Sequence, residues 1–131
     1  MKTVYATCAV IFRNRKIFIA QRNQYGESAF QWEFPGGKIE PNETHEKAII
    51  REIAEELNCE IEIESEIMKI VHRYKTFILN MRVFICRLCK SEPRICEHID
   101  SRWVDIQELN NFNLADADRP IAKHLKNAYC Q

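Results

Sequence analysis

Three glutamates, Glu52, Glu55 and Glu56, fall within one stretch whose apolar residues recur at helical spacing. At 3.6 residues per turn they occupy an arc of roughly 100°, nearly opposite Ile49, Ile50 and Ile53. A solvated polar face is the ordinary explanation of such an arc. It fits poorly here: Glu52 and Glu56 are a like-charge pair at i, i+4, no lysine or arginine follows either at that spacing, and Arg51 precedes Glu55 in the weaker orientation. Clustered hard oxygen ligands are what a divalent magnesium or manganese ion requires, and its charge would reverse the local repulsion. Upstream, Gly36-Gly37 leads into Lys38-Ile39-Glu40, a turn whose exposed backbone can approach phosphate oxygens or lend a carbonyl to a metal. Alone it is only a tight turn, and its short distance from the acidic segment is what gives it weight.

These residues need elements to carry them. Ile49, Ile50, Ile53, Ala54 and Leu57 predict a helix over Thr44 to Leu57, with Thr44 as N-cap and Asn58 as the stop. Val4 to Phe12 and Lys16 to Arg22 are rich in β-branched and aromatic residues and predict a hairpin turning at Arg13 to Arg15. Asn23 to Gln31 is a polar loop, and Pro35-Gly36-Gly37 predicts a break in any regular element. Glu66 to Tyr74, Phe77 to Leu88 and the short Trp103-Val104 complete the strands, and a last helix is expected from Arg119 to Ala128, with Pro120 in its first turn. The sum is a mixed sheet packed between helices in one domain, residues 1–131.

The bulk numbers exclude several classes. With 19 basic and 19 acidic residues there is no global positive field to hold a nucleic acid polymer or an anionic bilayer. The apolar N-terminal run is broken by Thr7 and too short for a span or a typical signal peptide, so no membrane association and a cytoplasmic location are expected. The six cysteines (Cys8, Cys59, Cys86, Cys89, Cys96 and Cys130) follow no secreted framework, and reduced thiols are expected. Cys86 and Cys89 form a CxxC, but their odd separation in a strand puts the side chains on opposite faces, which argues against zinc.

Read together, Gly37, five residues, Glu43, seven residues, then Arg51-Glu52-Ile53-Ala54-Glu55-Glu56-Leu57-Asn58-Cys59 resembles the Nudix box, which runs G, five residues, E, seven residues, REUxEExGU with U apolar. Asn58 stands where the family has glycine, and asparagine is the next best residue for a left-handed helix stop. The resemblance extends to most of the chain and is closest to the MutT-like and cytidine-triphosphate pyrophosphohydrolase branch, through Trp32-Glu33-Phe34-Pro35-Gly36-Gly37-Lys38-Ile39-Glu40 and Ile17-Phe18-Ile19-Ala20-Gln21-Arg22. It implies an α/β/α sandwich around a mixed β-sheet, of α/β (α+β) class. It also implies that Gly37 (through its carbonyl), Glu52, Glu55 and Glu56 hold metal, that Arg51 and Glu43 brace the loop and helix, and that Arg22, with Gly36 and Lys38, meets substrate phosphate. A further metal ligand in the branch is a glutamate six residues before a strand-opening tryptophan, and Glu97 stands six before Trp103. Asp118 matches a position beside the base. An N-cap of the last helix is its structural alternative, and both roles can hold, since an aspartate can accept from an exocyclic amine or, protonated, donate. Trp32, Tyr74 and Phe77 can each stack on a base, with core packing as the default.

The chemistry implied is attack of water on a phosphorus of a nucleoside triphosphate, with Mg2+ (Mn2+ as substitute) neutralising nucleophile and leaving group, to give a nucleoside monophosphate and pyrophosphate. Glu52 is the first candidate for general base and Glu97 the second. CTP, dCTP or modified cytidine nucleotides lead as substrates, with a MutT-type 8-oxo-dGTP diphosphatase close behind. An ADP-ribose diphosphatase and a Nudix-fold binding module without catalysis are the lower alternatives. Intact Arg51, Glu52, Glu55 and Glu56 speak against the module. A monomer or homodimer is expected.

Overall fold

A computed structural model describes residues 1–129. The chain runs β1 (Lys2–Arg13), β2 (Lys16–Gln21), β3 (Trp32–Glu33), β4 (Gly36–Lys38), α1 (His45–Leu57), β5 (Ile61–Arg73), β6 (Phe77–Leu88) and β7 (Asp100–Asp105), then two 3-10 turns and α2 (Arg119–Tyr129). One mixed sheet has the order β3-β2-β1-β6-β5, with β4 paired to β1 and β7 to β2. Only β1 and β6 run parallel. β1 is buried on both faces, which is why its sequence is apolar without alternation. Its Ala9 and Ile11 join Phe18 and Phe84 beneath Ile49, Ile53 and Leu57 of α1. Cys8 and Val10 point the other way, into a second core with Val83, Leu109, Ile121 and Leu125 of the α2 layer. The α/β/α arrangement expected from the family is therefore the one observed. Among the described residues no helix is long and apolar enough to cross a membrane.

α1 forms as its signals direct. The Thr44 hydroxyl accepts from the Lys47 N–H at 3.1 Å, and Asn58 ends the helix at φ 50°, in the left-handed region. The buried stripe differs in one respect: it is Ala48, Ile49, Ile53 and Leu57, while Ile50 and Ala54 lie on the exposed side. Ile50 follows Ile49 by about 100° around the axis, enough to turn it off the contact.

Strands β3 and β4 are absent from the sequence expectation, and β5 and β7 begin earlier than expected. The expected break falls at Pro35, between β3 and β4, but does not extend to Gly36-Gly37. Gly36–Lys38 pairs antiparallel with Ala6, Thr7 and Cys8, and any Cβ on Gly36 would run into the backbone of Thr7 and Cys8. Here glycine marks close approach of two backbones within a sheet. β5 starts five residues earlier than expected, at Ile61 rather than Glu66. The Ile61-Glu62-Ile63-Glu64 alternation has strand period, and two register shifts against β6 absorb the irregularity that hides it. β7 likewise spans Asp100–Asp105 around the expected Trp103-Val104.

Candidate functional site

α1 lays its polar face against β4, so Gly36 and Gly37 lie beside Glu52. A Cβ on Gly37 would overlap the Glu52 carboxyl, so a larger residue there would push that side chain aside. Arg51 ties the region together. Its Nε and Nη2 donate to the Glu43 carboxylate at 2.7 and 2.9 Å, Nη2 also reaches the Lys38 carbonyl at 3.0 Å, and Nη1 reaches Glu52 at 2.9 Å and Glu55 at 3.2 Å. Glu52 therefore does have a cation beside it, contrary to the helical-spacing argument, because the long Arg51 side chain folds back over the next residue. The same guanidinium holds Glu43 well below the usual carboxylate range, at about 2.

Glu56 has only partial relief, from the charge of Arg22. Burial, then the charges of Glu33 and Glu52, push its carboxyl up to about 9. Glu33 of β3 faces it together with His98 from the loop before β7. Ligand atoms of Glu33, Glu56 and His98 lie within 4.8 Å of one another. The His98 Nε2 is 2.9 Å from Glu33 Oε2 and 3.8 Å from Glu56 Oε2, and Arg22 Nη1 donates to Glu33 Oε1 at 3.0 Å. Neither Glu33 nor His98 was singled out from the sequence. Glu33 does interrupt the apolar Trp32 and Phe34, a weak signal; His98 looks like any loop residue.

Two adjoining cavities meet here. One of about 430 Å³ is lined by Gly37, Glu52, Glu55 and Glu56 with Glu97 and His98, so the loop glutamate comes to the same opening as the helix acids, from an exposed position. The other, about 350 Å³, has Arg22, Gly36, Lys38, Glu33 and Glu56 at its polar end. Its apolar end is Phe34, Tyr74, Phe77, Leu79 and Met81, with Asp118 among them. Tyr74 and Phe77 stack with ring centroids 5.0 Å apart in this wall, whereas Trp32 packs edge-on against Phe112. Asp118 is buried and does not cap α2. Its Oδ2 accepts the Phe34 N–H at 2.8 Å, and a 3-10 turn over Asp116–Asp118 runs directly into the helix instead. Burial, and then the Glu33 charge, push its carboxyl up to about 8.

The donor set fits a hard divalent cation. Three helix carboxylates and a glycine strand converge, and Glu56 is held so far from its ordinary value that it keeps a proton where a positive charge is wanted. The thiols offer no competing cluster among the described residues: Cys86 is buried and Cys89 exposed, Cys89 lying just past the end of β6 rather than in the strand, and Cys130 lies outside the described residues.

Comparison with known proteins agrees with this geometry. A family model described as NUDIX domain matches residues 7–124. The chain is 31% identical over 121 residues to a CTP pyrophosphohydrolase of Escherichia coli (strain K12), covering 92% of this chain and 90% of that protein. It is 30% identical over 113 residues to an 8-oxo-dGTP diphosphatase of the same organism, covering 86% and 88%. A solved structure from methicillin-resistant Staphylococcus aureus 252, described as the DNA mismatch repair protein MutT of the Nudix hydrolase family, superposes with a TM-score of 0.80 at 36% identity, over 98% of this chain and 99% of that one.

Proposed function

The chain belongs to the Nudix family and is a pyrophosphohydrolase, and from that premise we propose that it is a single-domain, magnesium-dependent enzyme splitting cytidine triphosphates, CTP, dCTP or modified forms, into a monophosphate and pyrophosphate. One observation carries the reading: a single cavity joins Glu33, Glu56 and Arg22 to a stacked aromatic wall and buried Asp118, and through Glu56 it adjoins the cavity lined by Glu52 and Glu55. A triphosphate with its base has that polarity and order.

Nudix hydrolases generally use a divalent metal. Glu52, Glu55, Glu56 and the Gly37 carbonyl would hold Mg2+ (or Mn2+), which would supply charge to stabilise the phosphate oxygens and the leaving group. The chain's own residues do the rest. Arg22 and Lys38 meet phosphate oxygens, and Gly36 and Gly37 let the backbone come close. Arg51, fixed by Glu43 and the Lys38 carbonyl, sets the helix against that strand. Glu52 accepts the proton of the water that attacks the β-phosphorus, with Glu97 as second candidate, and the bridging oxygen leaves with the monophosphate. The apolar wall receives the base, and Asp118 reads its edge, neutral as a donor or ionised as an acceptor.

The relatives named 8-oxo-dGTP diphosphatases favour a second reading, hydrolysis of that oxidised purine, which the same Asp118 permits. Pyrophosphate release with Mg2+ across CTP, dCTP, 5-methyl-dCTP, dGTP, 8-oxo-dGTP and ADP-ribose separates the two. Preference for cytosine nucleotides is expected; preference for 8-oxo-dGTP moves the assignment to the second reading, and silence on all six removes both. Glu55→Gln deletes a metal-facing charge without losing volume. It is expected to keep the fold and lose at least the roughly 10- to 100-fold in activity that even an outer-sphere partner costs, and wild-type turnover would sink its metal role.

A further inference from the structure

His98 stands at this centre with no task in the proposed chemistry. It comes from a loop whose neighbours Glu97 and Ile99 are exposed, yet its own side chain is only 6% exposed. Its Nε2 faces a Glu33 carboxylate oxygen at 2.9 Å, and its Nδ1 is buried with no hydrogen-bond partner. A carboxylate accepts, so the ring proton sits on Nε2 and is donated to Glu33. The opposite tautomer would bury an N–H at Nδ1 with nothing to receive it. This is the wrong tautomer for a metal ligand acting through Nε2, and a ligating imidazole would also have its far N–H paired.

The consequence runs through Glu33. Its Oε2 takes the His98 proton, its Oε1 takes the Arg22 guanidinium at 3.0 Å, and the carboxylate faces Glu56. With each oxygen held by a different donor, its rotation is restrained. We propose that His98 is a positioning residue: its Nε2–H locks Glu33, which in turn aims Arg22 toward the phosphates and holds its place beside Glu56 at the cation centre. This rests on the reading of the acidic cavity as a cation and triphosphate site, and it extends that reading to a residue outside the family box.

The test begins on the unaltered protein. Nitrogen-15 spectra of labelled histidine should show a proton on His98 Nε2, and a ring protonated on Nδ1 alone would overturn the proposal. Direct Mn2+ binding without nucleotide should then weaken about tenfold in His98→Ala, the scale expected for an outer-sphere partner. KM should rise in that variant while kcat at saturating metal and nucleotide stays close to wild type. His98→Gln keeps an amide N–H where Nε2 stood and should restore both quantities. In a Glu33→Gln background, His98→Ala should cost nothing further. The proposal is overturned if His98→Gln is as impaired as His98→Ala, if the Ala variant binds Mn2+ and nucleotide like wild type, or if the losses at His98 and Glu33 simply add. A wild-type protein that binds no Mn2+ would remove the cation centre and this inference together. Mn2+ binding without turnover of any nucleotide would remove only the assigned reaction.

Discussion

Burial and the charges of Glu33 and Glu52 hold the Glu56 carboxyl at about 9 even with Arg22 nearby, which favours its protonated form at neutral pH while no metal ion is bound. A divalent ion removes the cause and should expel the proton, so metal binding at pH 7 is predicted to release close to one proton per site. Calorimetric titration in two buffers of different ionisation enthalpy measures that number. Glu56→Gln should bring it close to zero, and an undiminished release in that variant would place the proton elsewhere. The contrast with Glu43 is instructive, since that carboxylate, wrapped by Arg51, lies at about 2 and has no proton to give. Glu52, Glu55 and Glu56 were legible in the sequence because a helix turns spacing into a shared face. Glu33 and His98 were not, because they meet across 65 residues of chain, and nothing local in either segment encodes the meeting.

At the scale of elements, local signals sufficed wherever local chemistry decides the outcome. Thr44 and Asn58 bound α1 as read, since a side-chain cap and a left-handed stop depend on one residue each. The failures were β4 and the early half of β5, where pairing with β1 and β6 overrides the local preference of glycine and glutamate. Asn58 gives a quantitative check. At φ 50° it occupies a conformation in which a plain Cβ residue is strained, so Asn58→Ala is predicted to destabilise by about 1 kcal/mol. Asn58→Gly, the residue of the family box, should change stability by less than that. Urea unfolding with unchanged m-value measures both. An Ala variant as stable as the Gly variant would mean that the left-handed turn is not what ends the helix.

Across the whole molecule the sheet separates two cores, and the cavity is lined by residues of β1, β4 and β6 that include Ala6, Cys8 and Met81 of the α2-side core. Asp118 ties this opening to the α2 layer through the Phe34 N–H, so the recess for a base is also a buried titratable site in the fold. Its effect on stability has a definite sign. The folded value of about 8 lies above the ordinary 3.8, so between these limits the native state holds a proton that the unfolded chain has lost. The contribution of Asp118 is therefore fully present below about pH 4 and is lost as pH rises toward 8, at a rate of up to about 1.4 kcal/mol per pH unit. Asp118→Asn keeps an acceptor for Phe34 and has no proton to lose. Relative to wild type it is predicted to gain stability steadily from pH 5 to pH 8, as read by chemical denaturation at matched ionic strength. A difference between the two proteins that stays constant over that range would show that Asp118 is ionised in the folded state, and would leave it able only to accept from a base, which favours an exocyclic amine over a ring nitrogen that needs a donor.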